Sequence, residues 1–163
     1  MTTGLRRIDA FDLLVALVRA RQLEFDQFSG SEFTLQIKSQ RSDVSYELRA
    51  HRNDNPESLS FYLSYDLVFP WKRHRELQKT AEHMNLSGGS TFSVPIDKSL
   101  RLSCPSYLDR KKPEQKAKVV ENRLGDALVR MDCGWAAMPI VLHTGKDPAH
   151  AVKIARRESY GDT

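Results

Sequence analysis

Three consecutive stretches of the chain alternate apolar and polar residues, and this pattern limits the possible folds more than any other feature of the sequence. The stretches cover residues 33–38, 44–50 and 59–67. A period of two is typical of strands that bury one face and leave the other face polar. The linkers between the stretches are polar, with Pro56 in the second, and they are too short for crossover helices. The sequence therefore predicts three antiparallel strands joined as a meander.

The segments around this meander show the periodicity of helices, apart from one further pair of alternating stretches. Alternation over 92–96 and 100–104 predicts a hairpin. Pro105 is expected to begin a loop after this hairpin, and Gly134 to weaken the end of the third helix. Apolar residues spaced three and four apart predict helices over 7–22, 70–88, 113–134 and 148–159.

The predicted order of elements is α-β-β-β-α-β-β-α-α, without repeats or a linker long enough to divide the chain. We therefore predict an α+β fold in a single domain over residues 1–163. Because each strand has one apolar and one largely polar face, we expect a single five-stranded antiparallel sheet with helices on one side. The other side is then either hydrated or covered by a partner.

Composition favours a soluble cytoplasmic protein. Of the 163 residues, 40% are apolar, which is enough to form a core without disulfides. The net charge of +4 is uneven, because residues 1–70 carry a net −2 and residues 71–163 a net +6. No apolar run approaches the length of a membrane span, and Asp9 and Asp12 interrupt the segment that a signal peptide would need. Two cysteines without a Cys-x-x-Cys spacing are typical of the reducing cytosol.

The residues that carry most enzyme chemistry are scattered along this sequence. The five histidines form no pair with metal-ligand spacing, and Cys104 falls on the inward side of a predicted strand. Cys133 would be reactive if it lay near an exposed helix end. Lys146 precedes the last predicted helix, but Asp147 beside it would repel a phosphate and is better explained as a helix cap. We therefore expect no enzyme, no metal and no cofactor.

The segment 137–152 resembles the closing segment of the YbjN-type family of bacterial sensory transduction regulators. In that family a long helix runs into a proline, and a Gly-Lys-x-Pro turn then leads into a last helix. The matching residues are Pro139, Gly145, Lys146, Pro148 and Ala151, followed by Glu158 and Gly161 in the tail. The family fold is similar to that of class I type III secretion chaperones, which are small dimers. The resemblance implies a regulator or protein-binding module, although secretion chaperones are usually acidic and this chain is basic.

Eight aromatic or basic residues are candidates for contact with a partner. Tyr62 falls on the polar side of the third predicted strand, where an aromatic ring calls for explanation. Trp71 and Trp135 are large amphipathic rings of the kind that anchor complexes, with packing inside the fold as the open alternative. The remaining candidates are basic and lie on the second helix or just before the third. The eight are Tyr62, Trp71, Lys72, Arg75, Lys79, Lys111, Lys112 and Trp135.

These observations predict a non-catalytic cytoplasmic module that acts through protein–protein association, as a homodimer and without a membrane segment. Its open sheet face or an unpaired sheet edge would bind a segment of the partner protein. The alternative is a nucleic-acid-associated regulator that uses the basic residues of the second helix and of the segment 110–118. That alternative requires both basic clusters to share one face of the protein.

Overall fold

The computed structural model describes residues 9–85, 90–95, 99–108 and 112–160, which form four helices and one sheet of six strands. The helices are α1 (Ala10–Ala20), α2 (His74–Met84, after a 3-10 turn over Trp71–Arg73), α3 (Pro113–Thr144) and α4 (Pro148–Tyr160). The strands are β1 (Gln27–Phe28), β2 (Glu32–Lys38), β3 (Ser45–Arg52), β4 (Ser58–Asp66), β5 (Thr91–Ser93) and β6 (Ser99–Tyr107). The predicted α+β class with a single antiparallel sheet is confirmed. Three predicted features lie outside the described residues. They are the hairpin turn at 97–98, the start of the first helix at 7–8 and the end of the second helix at 86–88.

The sheet has the strand order β1-β2-β3-β4-β6-β5, and every neighbouring pair is antiparallel. The predicted number of five strands is wrong, because β1 was missed. This strand has two residues, both exposed, with Gln27 opposite Thr34 and Phe28 opposite Phe33. A strand of that length has no alternation that a sequence pattern could reveal.

The two faces of the sheet differ in what covers them. Side chains such as Leu48, Phe61 and Leu102 point to the inner face and are buried. On this face α1 packs against β3 and β4, α3 packs against β4 and β6, and α2 packs against β5. The described helices leave the outer face open, and the polar side chains at its centre are half-buried by one another. The fold is therefore one sheet with a layer of helices on one side.

The third helix continues ten residues beyond Gly134, which corrects the prediction that this glycine weakens the helix end. Gly134 lies inside α3, where an added Cβ would be 2.7 Å from Cε1 of Phe92. The glycine therefore lets α3 approach β5 closely, and this packing accounts for its presence in the helix. The helix ends at Thr144, and Gly145 follows in the left-handed conformation with φ 66°.

Strand β6 also runs further than predicted, because Pro105 lies inside it and does not begin a loop. Proline cannot donate a backbone hydrogen bond, so a strand tolerates it where no partner strand lies on that side. Short β5 pairs with residues 101–103 of β6, so position 105 lies beyond its end.

Arg52 on β3 fixes the start of α1 to the sheet. Its guanidinium bonds to the carboxylates of Asp9 and Asp12, donates to the Gly30 carbonyl, and lies 4.7 Å from the ring centroid of Phe11. Asp9 is the N-cap of α1, and one of its carboxylate oxygens accepts a bond from the Asp12 backbone. The hydrogen bond from Arg52 lowers the pKa of Asp12 below its ordinary value.

Replacing Gly134 with alanine is expected to destabilise the protein although alanine is the better helix former. The gain in helix propensity is about 1 kcal/mol, whereas overpacking of a full core costs roughly 1–3 kcal/mol. Urea unfolding of Gly134→Ala should therefore give a net loss of about 1 kcal/mol. Gly125→Ala is the matched control, since an added Cβ there meets nothing within 4 Å. A stabilised Gly134→Ala would contradict the close packing of Phe92 on α3.

The ion pair of Asp12 is expected to make stability depend on pH in the acid range. Because its pKa is lowered in the folded state, the contribution is present above the ordinary value of 3.8 and is lost as the pH falls through the lower, folded value. Asp12→Asn should cost less than about 1 kcal/mol at pH 7, since the carboxylate is partly exposed and screened. The difference from the native protein should vanish near pH 2 in urea titrations. Asp43→Asn is the matched control, because this carboxylate is exposed and forms no ion pair among the described residues.

Candidate functional site

Both cysteines lie buried inside the fold. Among the described residues, no three His, Cys, Asp or Glu side chains are grouped so as to hold a metal ion. Cys133 lies inside α3 and is buried, so it is not at an exposed helix end. Cys104 is buried as predicted, and this burial raises the pKa of its thiol to about 12. A thiol that stays protonated at neutral pH is a poor nucleophile.

One cluster of polar groups is buried under the helix layer. Asp132 of α3 is 5% exposed and accepts hydrogen bonds from the Tyr46 hydroxyl and, at 2.6 Å, from the Ser39 hydroxyl. Burial, followed by the bond to Asp132, raises the pKa of Tyr46, so this hydroxyl remains a neutral donor. Asp132 and Tyr46 are buried while Ser39 is partly buried, and the bonds of this cluster join α3 to β3 and to the turn after β2.

Two apolar side chains are strongly exposed just before α2. Val68 is 95% exposed and Trp71 is 56% exposed. The Trp71 ring is stacked on His74 with 5.2 Å between the ring centroids, and His74 Nε2 donates to the Val94 carbonyl at 2.7 Å. The tryptophan is thus held on one side and open on the other. A large apolar surface kept in water by a fixed neighbour is a typical binding anchor.

Three basic side chains continue this exposed region along the solvent side of α2. Lys72, Arg75 and Lys79 are spaced three and four residues apart, which places them along one side of the helix, and all three are exposed. Among the described residues none forms an ion pair with them. We call the group formed by Val68, Trp71, Lys72, Arg75 and Lys79 the α2 surface.

Arg73 lies beside these lysines in sequence but has a structural role. Its guanidinium holds both carboxylate oxygens of Glu76 at 2.9 Å, and it donates to the carbonyls of Val141 and Leu142 in the last turns of α3. A cation at the C-terminal end of a helix is favourable because of the helix dipole. Arg73 therefore fixes the α2 surface to α3 and neutralises Glu76, which leaves exposed Glu82 as the acidic residue on this side of α2.

The second basic cluster lies near the other end of α3. Lys112 is exposed, Lys116 is paired with Glu57 at 2.7 Å, and Lys111 lies outside the described residues. Lys116 is 25 residues before Val141, which contacts Arg73, and this corresponds to roughly 38 Å along the helix. The described parts of the two basic clusters are therefore far apart.

The remaining two aromatic candidates are engaged within the fold. Tyr62 lies on the outer face of the sheet, with the guanidinium carbons of Arg49 and Arg101 at 5.9 and 5.0 Å from its ring centroid. Trp135 is half-buried in α3 and packs edge-on against Tyr65, at 6.2 Å between centroids. The ring of Trp135 thus packs inside the fold, against β4.

Val68 and the two arginines around Tyr62 were not among the predicted site residues. Val68 follows an alternating strand, and a valine there gives no sign that it is exposed. Arg49 and Arg101 could have been placed on the outer face from the alternation of their strands. Their position next to Tyr62 depends on the order β3-β4-β6, which the sequence does not state.

Comparison with models of known protein families and with curated proteins finds no match for this sequence. The resemblance to the YbjN-type family therefore stays a prediction. Among the described residues, no helix combines the length and the apolar composition that crossing a bilayer requires.

The bond from Tyr46 to buried Asp132 should be important for stability. Tyr46→Phe removes a donor and leaves the carboxylate with the Ser39 hydroxyl, which should cost about 1–3 kcal/mol in urea unfolding. Tyr65→Phe is the matched control, because its hydroxyl bonds to no described residue, and it should change stability by less than about 0.5 kcal/mol. Equal effects of the two substitutions would contradict the assigned role of Asp132.

Proposed function

We propose that this protein is a non-catalytic protein-binding module that holds an acidic polypeptide segment on the α2 surface. The observation that carries the proposal is the placement of exposed Val68 and Trp71 directly before a helix with three unpaired basic side chains. Regulation through such an association agrees with the role implied by the resemblance to the YbjN-type family. The burial of both cysteines, which raises the pKa of the Cys104 thiol, supports a role without catalysis.

The chemistry of the α2 surface indicates the kind of partner that fits it. A tryptophan that is open on one side gains most from an apolar side chain that excludes water from the ring. Lys72, Arg75 and Lys79 favour carboxylates on the partner and increase its rate of association. The best occupant is therefore a segment that combines several acidic residues with at least one large apolar residue.

A second copy of the chain fits the α2 surface less well. A symmetric dimer through this surface would bring the same patch of both copies together, so that the basic side chains would face one another. The outer sheet face is a weak site for an apolar dimer, since polar groups surround Tyr62 there. We therefore place protein association on the α2 surface and not on the open sheet face.

Nucleic acid is the alternative partner, and the geometry supports it less. Strong phosphate binding requires many basic contacts along one path, whereas Lys116 is separated by roughly 38 Å of α3 from Val141, which contacts the turn before α2. Tyr62 is already engaged by two arginines, which leaves Trp71 as the candidate for stacking on a base. A salt-dependent interaction with RNA or DNA would favour this alternative.

Peptide binding measured by fluorescence anisotropy tests the proposal. The probes are labelled peptides of equal length that contain leucine with glutamate, leucine with lysine, or serine with glutamate, together with a single-stranded DNA of similar charge. The leucine–glutamate peptide should bind most tightly. Trp71→Ala should weaken it at least tenfold, which is about 1.4 kcal/mol, and Lys72→Glu with Arg75→Glu and Lys79→Glu should abolish binding.

Phe28→Ala is the matched control, because Phe28 is 48% exposed but lies on β1. It should leave the affinity within twofold of the native value. Equal binding of the acidic and basic peptides, or equal losses in Trp71→Ala and Phe28→Ala, would overturn the proposal. Tighter binding of the DNA than of any peptide would favour the nucleic-acid alternative.

A further inference from the structure

The centre of the outer sheet face is a regular array of polar side chains from four strands. One row across the sheet contains Gln36, Glu47, Ser64 and Arg101, which are direct partners on β2, β3, β4 and β6. The next row contains Arg49 opposite Tyr62. On the other side of the first row Asp66 lies opposite Ser99. This array is separate from the α2 surface, which belongs to the helix layer.

The array surrounds a pocket of about 490 Å³, a volume within the usual range of ligand sites. Most ligand sites are lined by apolar side chains, but this one is lined by hydroxyls, an amide and charged groups. A ligand that matches it must therefore be polar and must satisfy charges of both signs. The lining residues are Gln36, Ser45, Glu47, Arg49, Tyr62, Ser64, Tyr65, Asp66, Ser99 and Arg101.

The charges in this pocket are separated along the direction of the strands. Asp66 lies at one end of the pocket and Arg49 at the other, with Glu47 and Arg101 between them on opposite sides of β4. Two positive and two negative side chains leave no net charge, so a simple anion would meet repulsion as well as attraction. A ligand with a positive and a negative group at its two ends matches the pattern.

Arg49 is prepared to receive a carboxylate. Its guanidinium is held over the Tyr62 ring, and its ion pair with Glu47 is long, at 3.6 Å. Its side chain is 39% exposed, and because the Nε atom is buried, the terminal Nη atoms are the donors that a ligand would reach. A planar guanidinium with free donors binds a carboxylate through two parallel hydrogen bonds.

We infer that this pocket binds a zwitterionic ligand of the short-peptide class, with its carboxylate at Arg49 and its ammonium group at Asp66. The positions of Asp66 and Tyr62 on β4 are four residues apart, or about 14 Å along the strand. An extended peptide of about four residues spans the same length. Glu47 and the serine hydroxyls are placed to accept from and donate to the peptide groups between the two ends.

Titrations followed by amide NMR spectra test this inference with tetraglycine, N-acetyltetraglycine and tetraglycine amide. Free tetraglycine should shift the amides of β3 and β4 saturably and bind at least fivefold more tightly than either blocked peptide. Arg49→Gln should weaken free tetraglycine to the level of the amide without weakening the amide further. Asp66→Asn should weaken free tetraglycine to the level of N-acetyltetraglycine without weakening the acetylated peptide further.

Lys38→Gln is the matched control, since Lys38 is on the same face of β2 but does not line the pocket. It should change each affinity by less than twofold, and the spectra of all variants show directly whether they are folded. The inference is overturned if no peptide gives saturable shifts up to 20 mM. It is also overturned if blocking either end leaves the affinity unchanged, or if Lys38→Gln weakens binding as much as Arg49→Gln.

Discussion

Six consecutive residues of α3, from Arg130 to Trp135, join parts of the protein that are distant in sequence. Arg130 donates to the carbonyls of Ser90 and Met84, and thus connects the end of α2 with the start of β5. Two residues later Asp132 receives bonds from β3 and from the turn after β2. The next contacts are those of Gly134 with Phe92 and of Trp135 with Tyr65. These contacts fix the position of α3 on the sheet. Because Arg130 also bonds to the end of α2, they fix the position of α2 as well.

This arrangement uses each side of the sheet for a different purpose. The inner face is buried under the helices. On that side of the protein, the surface exposed to solvent is the outside of the helix layer, which includes the α2 surface. The outer face is made of strand side chains that keep their own polar contacts, with Tyr62 between two arginines. The first surface is apolar and basic, whereas the second is polar and balanced in charge. Ligands that suit one of them do not suit the other.

The strands were the most predictable part of the fold, because alternation reports directly which face is buried. It identified the positions of β2, β3 and β4, and it placed Tyr62 correctly on the outer face. The errors arose where tertiary contacts override local preference. Gly134 is tolerated inside α3 since Phe92 fills the space of its missing side chain. Pro105 is tolerated in β6 since β5 ends before it. Neither neighbour can be identified from the residues next to these positions.

The candidate site was less predictable than the fold, because sequence gives the charge of a side chain but not its partner. Lys116 and Lys72 are both basic residues at the start of a helix, yet Lys116 is paired with Glu57 and Lys72 is exposed. Lys111 lies outside the described residues, and the described members of the two clusters lie far apart. The distance between them depends on the length of α3, which continues ten residues beyond its predicted end at Gly134.

The positive charge of residues 71–163 is therefore not a measure of the surface that is open to a partner. Arg73, Lys116 and Arg130 are bound to carboxylates or carbonyls of the fold itself. Such groups hold elements together, and a partner would have to break these bonds before it could use them. The unpaired side chains of α2 carry no such cost, and they lie next to an exposed tryptophan. Recognition is expected where charge and apolar surface are both exposed, and among the candidate residues this condition is met on α2.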